Sequence, residues 1–188
     1  MREGEPHVMN DLHLELIHEL LEAAGKRGMP LWIGGGWAID ARLGGITREH
    51  EDIDLTFPGE RKDEFMELIE SLGGRLSELT EYGFLAELQG VLLDCEPACW
   101  NGQAYEIEDA PPNACPMQPE GKLAGLSMRC NSWDAILWDY FFYSDETPPS
   151  QWPAKHTQSY ALAVDAFGYE NTARLRMVFD ARRAPPSA

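Results

Sequence analysis

"LWIGGGWAIDARLGGITREHEDIDLTF", residues 31–57, decides how the rest of the chain is read. Gly34, Gly35 and Gly36 follow a short apolar run and open a helix-compatible stretch over residues 36–43, which Gly44 and Gly45 stop. "DIDLTF" then alternates polar and apolar side chains, the period of a strand with one buried face, and Pro58-Gly59 closes it. On such a strand Asp52 and Asp54 point one way while Ile53 and Leu55 point into the core. Two like charges held that close are costly unless a cation sits between them. Magnesium suits the pair, because it takes one or two carboxylates and fills its other positions with water or phosphate. At residues 34–36 bare N–H groups and the positive end of a helix dipole form a seat for phosphate. One ligand can use both features: a nucleoside triphosphate, its phosphates on the glycine turn and its metal on the aspartates.

Outward from this segment the pattern is that of an α+β protein. Upstream, "DLHLELIHELLEAAGKR" places Leu14, Ile17, Leu21 and Ala24 on one helical face, with Asn10 or Asp11 as the cap and Gly28 and Pro30 at the end. "LWIG" reads as a short buried strand. Downstream, Phe65, Leu68, Ile69 and Leu72 mark a second amphipathic helix ended by Gly73-Gly74. "GFLAEL" and "VLLDCE" read as strands joined by a Gln89-Gly90 hairpin turn. Asp94 falls on that second, buried strand, where an unpaired carboxylate is expensive. Three carboxylates from two neighbouring strands could hold two metal ions for an in-line phosphoryl displacement. Residues 1–100 thus read as a mixed sheet with helices, the part that a resemblance set out below identifies as a nucleotidyltransferase-type catalytic domain, and residues 101–188 as a loop region followed by a helical domain. The break lies near 100–130, where Pro, Gly and acidic residues interrupt the periodicity. "SWDAILWDYFFY" starts a helix from Ser132, "AKHTQSYALAVDAF" ends at Gly168, and "ENTARLRMVFDARR" runs into a Pro-rich tail.

Together "GGGWAIDARLGGITREHEDIDLTF" and "LLDCEPA" resemble the nucleotidyltransferase superfamily that includes DNA polymerase β. Within it, "PLWIGGGWAIDARLG", "DIDLTFPGER", "YGFLAE", "RCNSW", "WDYF" and the positions Trp152, Pro153, Lys155 and His156 resemble the bacterial aminoglycoside 2″-O-nucleotidyltransferases. The likeness covers nearly the whole chain, departing at the N-terminus, in the 101–125 loop and in the tail. It implies a reaction: ATP binds with Mg²⁺, in two ions, a drug hydroxyl attacks the α-phosphorus, and pyrophosphate leaves. By the same resemblance Asp52 and Asp54 hold the metals, and Asp94 is a further ligand or the base for the hydroxyl. Gly35 and Gly36 would contact the triphosphate, with Arg48 and Lys155 pairing its oxygens. Glu96 shares a strand face with Asp94 and, with Asp139 and Tyr82, is a candidate for the drug. His50 has no evident partner and reads as structural.

Composition agrees with a cationic small-molecule substrate. The 188 residues carry 32 acidic against 15 basic side chains, a net charge of −17. That field attracts polycations and repels nucleic acid and anionic membrane surfaces. No window approaches the ~20 apolar residues of a membrane span, and no signal-peptide pattern opens the chain, so a cytoplasmic location is expected. Cys95, Cys99, Cys115 and Cys130 form no CxxC pair, which argues for reduced thiols and against a zinc site. Other readings are a nucleotidyltransferase acting on a lincosamide, a binding protein of the same fold that has lost catalysis, or a glycosyltransferase with an Asp-x-Asp site. The intact carboxylates argue against lost catalysis, and the glycine turn has no place in the glycosyltransferase reading.

Overall fold

The computed structural model describes residues 8–80 and 82–183. Its frame is a six-stranded mixed sheet. In chain order the elements are α1 (Val8–Lys26), β1 (Trp32–Ile33), α2 (Gly35–Leu43), β2 (Asp52–Pro58) and α3 (Lys62–Ser71). Then come β3 (Arg75–Leu79), β4 (Phe84–Leu88), β5 (Val91–Trp100) and β6 (Tyr105–Ile107). The hairpin of β7 (Gly121–Leu123) and β8 (Leu126–Met128) precedes α4 (Trp133–Glu146), α5 (Ala154–Phe167) and α6 (Tyr169–Arg183).

The sheet order is β1-β2-β5-β4-β3, with β6 pairing the far end of β5. Of these strand pairs only β2 and β5 run parallel, so the chain crosses over through α3 to the far edge and returns by antiparallel β3 and β4 before β5 lies beside β2. The β4–β5 link is the expected tight hairpin: Leu88 pairs Val91 across Gln89 and Gly90, both at positive φ (52° and 83°). That is the left-handed pair of a two-residue turn matched to strand twist.

One face of β2 and β5 carries Ile53, Leu55, Phe57, Leu93 and Cys95, all buried. Against it lie α1 and α3, with the Phe57, Phe65 and Phe84 rings packed 4.9–5.9 Å apart. The same core continues through Trp138, Phe141 and Phe179 of α4 and α6. Two details differ from the sequence reading. The apolar stripe of α1 centres on Leu16, Ile17 and Leu20, while Leu14 and Leu21 only flank it. Asn10 lies inside α1 and caps nothing there. Its amide bonds the Arg48 carbonyl at 2.9 Å and the His50 N–H at 3.0 Å, so it pins the loop leading to β2. Ser132 does cap α4, accepting from the Ala135 N–H at 3.2 Å. Among the described residues no helix is long and apolar enough to cross a membrane.

Candidate active site

The register of β2 on β5 sets Asp54 opposite Asp94 and Thr56 opposite Glu96. Because side chains alternate, these residues share the face turned away from the core. Above that face α4 closes a cleft of about 360 Å³. Its walls include Gly34, Gly35, Asp54, Thr56, Asp94 and Glu96 from the sheet side. Asp139 and Asn131 wall the side of α4, and Tyr82 stands at the rim, strongly exposed. The sequence-derived candidates Gly35, Asp54, Asp94, Glu96, Asp139 and Tyr82 therefore meet in one cavity. Asp52 lies on the same strand face, two residues from Asp54, outside the cleft wall.

Crowded acids leave a clear electrostatic mark. Burial pushes the Asp54 carboxyl up to about 7, and the charges of Asp52, Asp94 and Glu96 add to the rise while Arg48 opposes it. Glu96 is pushed up to about 7 by burial and by Asp94. Asp94 is raised by burial and by Asp52. Asp139 is open to water at the cleft, yet surrounding protein, Glu96 and Asp54 hold its carboxyl well above the usual range. In each case burial is the larger cause, and the charge of neighbouring acids adds to it, a part that a cation would relieve.

The glycine turn is built for close approach. Gly35 sits at φ 49°, and a side chain there would run into the Asp54 carboxylate. At Gly36 a side chain would meet the Arg48 guanidinium and the His50 ring. Arg48 is steadied by Ser159 of α5 at 3.1 Å and by the Glu49 carbonyl at 2.7 Å. Lys155, also on α5, pairs Glu51 at 2.7 Å, next to Asp52. Gly36, Arg48 and Lys155 thus gather around the N-terminus of α2 and the start of β2, beside the cleft and not on its wall.

His50, read as structural, has a partner that the sequence did not show. Its Nε2 lies 2.7 Å from the Asp40 carboxylate, both groups are buried, and Trp37 stacks on the ring at 4.1 Å. Asp40 and His50 are ten residues apart and face each other only because α2 folds back over the loop. Thr56 and Asn131 were likewise not singled out. Asn131 lies within "RCNSW", a stretch that points to the family without assigning any residue a role.

The donor set suits a hard divalent cation in chemistry, with one qualification of geometry. Among the described residues no group of three or more His, Cys, Asp or Glu side chains is drawn together closely enough to hold an ion. The three-carboxylate cage anticipated from the strands is therefore not preformed. Magnesium needs only one or two carboxylates and takes its other oxygens from phosphate and water. Mutual repulsion of the acids around Asp54 is what such an ion would remove.

Against known proteins, the family model described as aminoglycoside-2″-adenylyltransferase matches residues 16–180. The chain belongs to that family. Over 176 residues it is 57% identical to a 2″-aminoglycoside nucleotidyltransferase of Klebsiella pneumoniae, covering 94% of this chain and 99% of that relative. The crystal structure of ANT(2″)-Ia in complex with adenylyl-2″-tobramycin superposes with a TM-score of 0.91, at 57% identity over 92% of this chain and 99% of that one. The lincomycin-bound lincosamide adenylyltransferase LnuA shares the fold, with a TM-score of 0.60 at 18% identity over 80% of this chain and 93% of that one. This member of the aminoglycoside-2″-adenylyltransferase family is thus an enzyme of the nucleotidyltransferase fold.

Proposed function

We propose that the cleft transfers AMP from ATP to the 2″-hydroxyl of aminoglycosides of the kanamycin, gentamicin and tobramycin type, releasing pyrophosphate. The observation that carries this reading is the placement of Asp54 opposite Asp94, with Glu96 and Asp139 on the walls of the same cavity. In it residues 1–100 hold the nucleotide and residues 101–188 close over the drug. Glu96 and Asp139 receive the drug's ammonium groups, whose charge compensates their own, and Tyr82 packs at the rim. The N-terminus of α2 at Gly35 and Gly36 receives the triphosphate, with Arg48 and Lys155 beside it. Lys155 leaves Glu51 to do so.

Asp52, Asp54 and Asp94 would hold Mg²⁺, two ions in the full site, and the metal supplies positive charge against the phosphoryl oxygens. Asp94 stands where it can take the proton of the attacking hydroxyl.

A pyrophosphate-release assay with Mg-ATP and a panel of aminoglycosides and lincosamides tests the proposal. Release with tobramycin and none with lincomycin is expected, and the reverse pattern overturns the drug assignment. In the same assay Asp94→Asn should lower kcat by about 10²–10⁴-fold while drug affinity stays within severalfold. Lost binding with preserved kcat would make Asp94 a substrate contact instead.

A further inference from the structure

We propose that Asn131 is a positioning residue, holding the glycine turn, β2 and the base of α4 at one spacing around the cleft. The inference rests on the reading that adenylyl transfer takes place there. Asn131 stands between β8 and α4 with only 6% of its surface exposed. Its backbone is fixed on both sides: the N–H donates to the Ile33 carbonyl at 2.9 Å, and the carbonyl accepts from Arg42 Nε at 2.7 Å. Arg42 is itself held, bonding Glu120 at 2.7 Å and lying 5.4 Å over the Trp133 ring.

The Asn131 side chain reaches three parts of the site. Its Oδ1 accepts from Thr56 Oγ1 at 3.1 Å, and Thr56 is the register partner of Glu96. The same oxygen packs on the glycine turn so closely that a Cβ on Gly34 would lie 2.9 Å from it. Its Nδ2 reaches the Ala114 carbonyl and the Cys115 sulfur only at 3.5 and 3.7 Å, both weak. The next residue, Ser132, caps the helix that carries Asp139. One buried amide is therefore the point where the phosphate seat, the carboxylate strand and the drug-facing helix touch.

Such a joint acts on alignment more than on affinity. A reacting pair displaced by about 1 Å can lose about 10²-fold in rate with the ligands still bound. The test is steady-state kinetics with Mg-ATP and tobramycin, with calorimetric affinities for each ligand, on Asn131→Ala, Thr56→Val, their double variant and Thr56→Ser. We expect Asn131→Ala and Thr56→Val each to lower kcat by about 10–100-fold, with both affinities within about threefold of wild type. The double variant should be no worse than the weaker single, because both break one contact. Thr56→Ser, which keeps the hydroxyl, should retain most of the rate.

Unchanged kcat in Thr56→Val, additive losses in the double variant, or a loss confined to the affinity for one ligand each overturn the positioning role. Should Asn131→Ala fail to fold, the Val and Ser variants at position 56 carry the same decision. Wild-type enzyme in the same assay separates the two readings. A silent wild type overturns the transfer reading and this one with it, whereas an active wild type with unchanged Thr56→Val overturns this one alone.

Discussion

Asp40 lies on α2 and Asp54 lies against the N-terminus of that helix, and their surroundings are opposite. Asp40 is fully buried and fully used: it accepts from the Thr47 N–H at 3.1 Å, the Thr47 hydroxyl at 2.5 Å and His50 Nε2 at 2.7 Å. It ties α2 to the loop that delivers Asp52. Among the described residues no donor hydrogen-bonds the Asp54 carboxylate, and its neighbours include Asp52, Asp94 and Glu96. A carboxylate that is satisfied in the folded chain belongs to the scaffold. One that the fold leaves crowded by like charge is held ready for something the chain itself does not supply.

The sharpest way to break this contrast is to neutralise each group in turn. Asp54→Asn keeps the shape and removes the repulsion, so turnover should fall by about 10³-fold or more. The same variant should melt a few degrees higher than wild type, since about 1 kcal/mol of relief corresponds to about 2–4 °C in a chain of this size. Near-normal turnover, or a large drop in melting temperature, would move Asp54 into the scaffold. Asp40→Ala should behave the other way, losing about 3–5 kcal/mol of stability by urea denaturation because His50 and Thr47 lose their buried partner. Its kcat, measured where the variant is folded, should change far less than that of Asp54→Asn. If stability hardly moves, Asp40 is no anchor.

The smallest effect is a pH dependence. Asp54 and Glu96 sit near 7 in the fold, against ordinary values of 3.8 and 4.5, so between those limits the folded protein binds more protons than the unfolded chain. Their contribution to stability is therefore present below about pH 4 and is lost as pH rises through about 7. Metal-free protein should lose melting temperature by a few degrees from pH 5 to pH 8. Added Mg²⁺ should stabilise more at pH 8, where the carboxylates are ionised, than at pH 6. A Mg²⁺ shift that is the same at both values would show that the ion does not bind these carboxylates.

Much of the site could be read before any coordinates, because its signals are local. Alternation along "DIDLTF" and "LLDCE" assigns Asp52, Asp54, Asp94 and Glu96 to strand faces, and Gly34–Gly35–Gly36 marks a turn into a helix. The Gln89-Gly90 hairpin and the Ser132 cap follow from equally short-range rules. What escaped was long-range. β3 has no clean alternation: four of its five residues are exposed, and it forms because β4 offers it an edge. Asn10 resembles a helix cap, and only the packing of α1 on the loop turns its amide toward Arg48 and His50. The His50–Asp40 pair and the Asn131–Thr56 contact join residues whose spacing carries no periodic signal.

By itself, then, the sequence determined the fold class, the side of each strand that bears charge, and the family, since these depend on side-chain period and on contiguous motifs. The tertiary structure decided which acids share one cavity, how far their charges push one another, and which polar groups brace them. The parallel pairing of β2 with β5 sets Asp54 opposite Asp94, 40 positions further along the chain. Burial and like charge at that junction, which no single segment contains, make the site electrostatically incomplete without a cation.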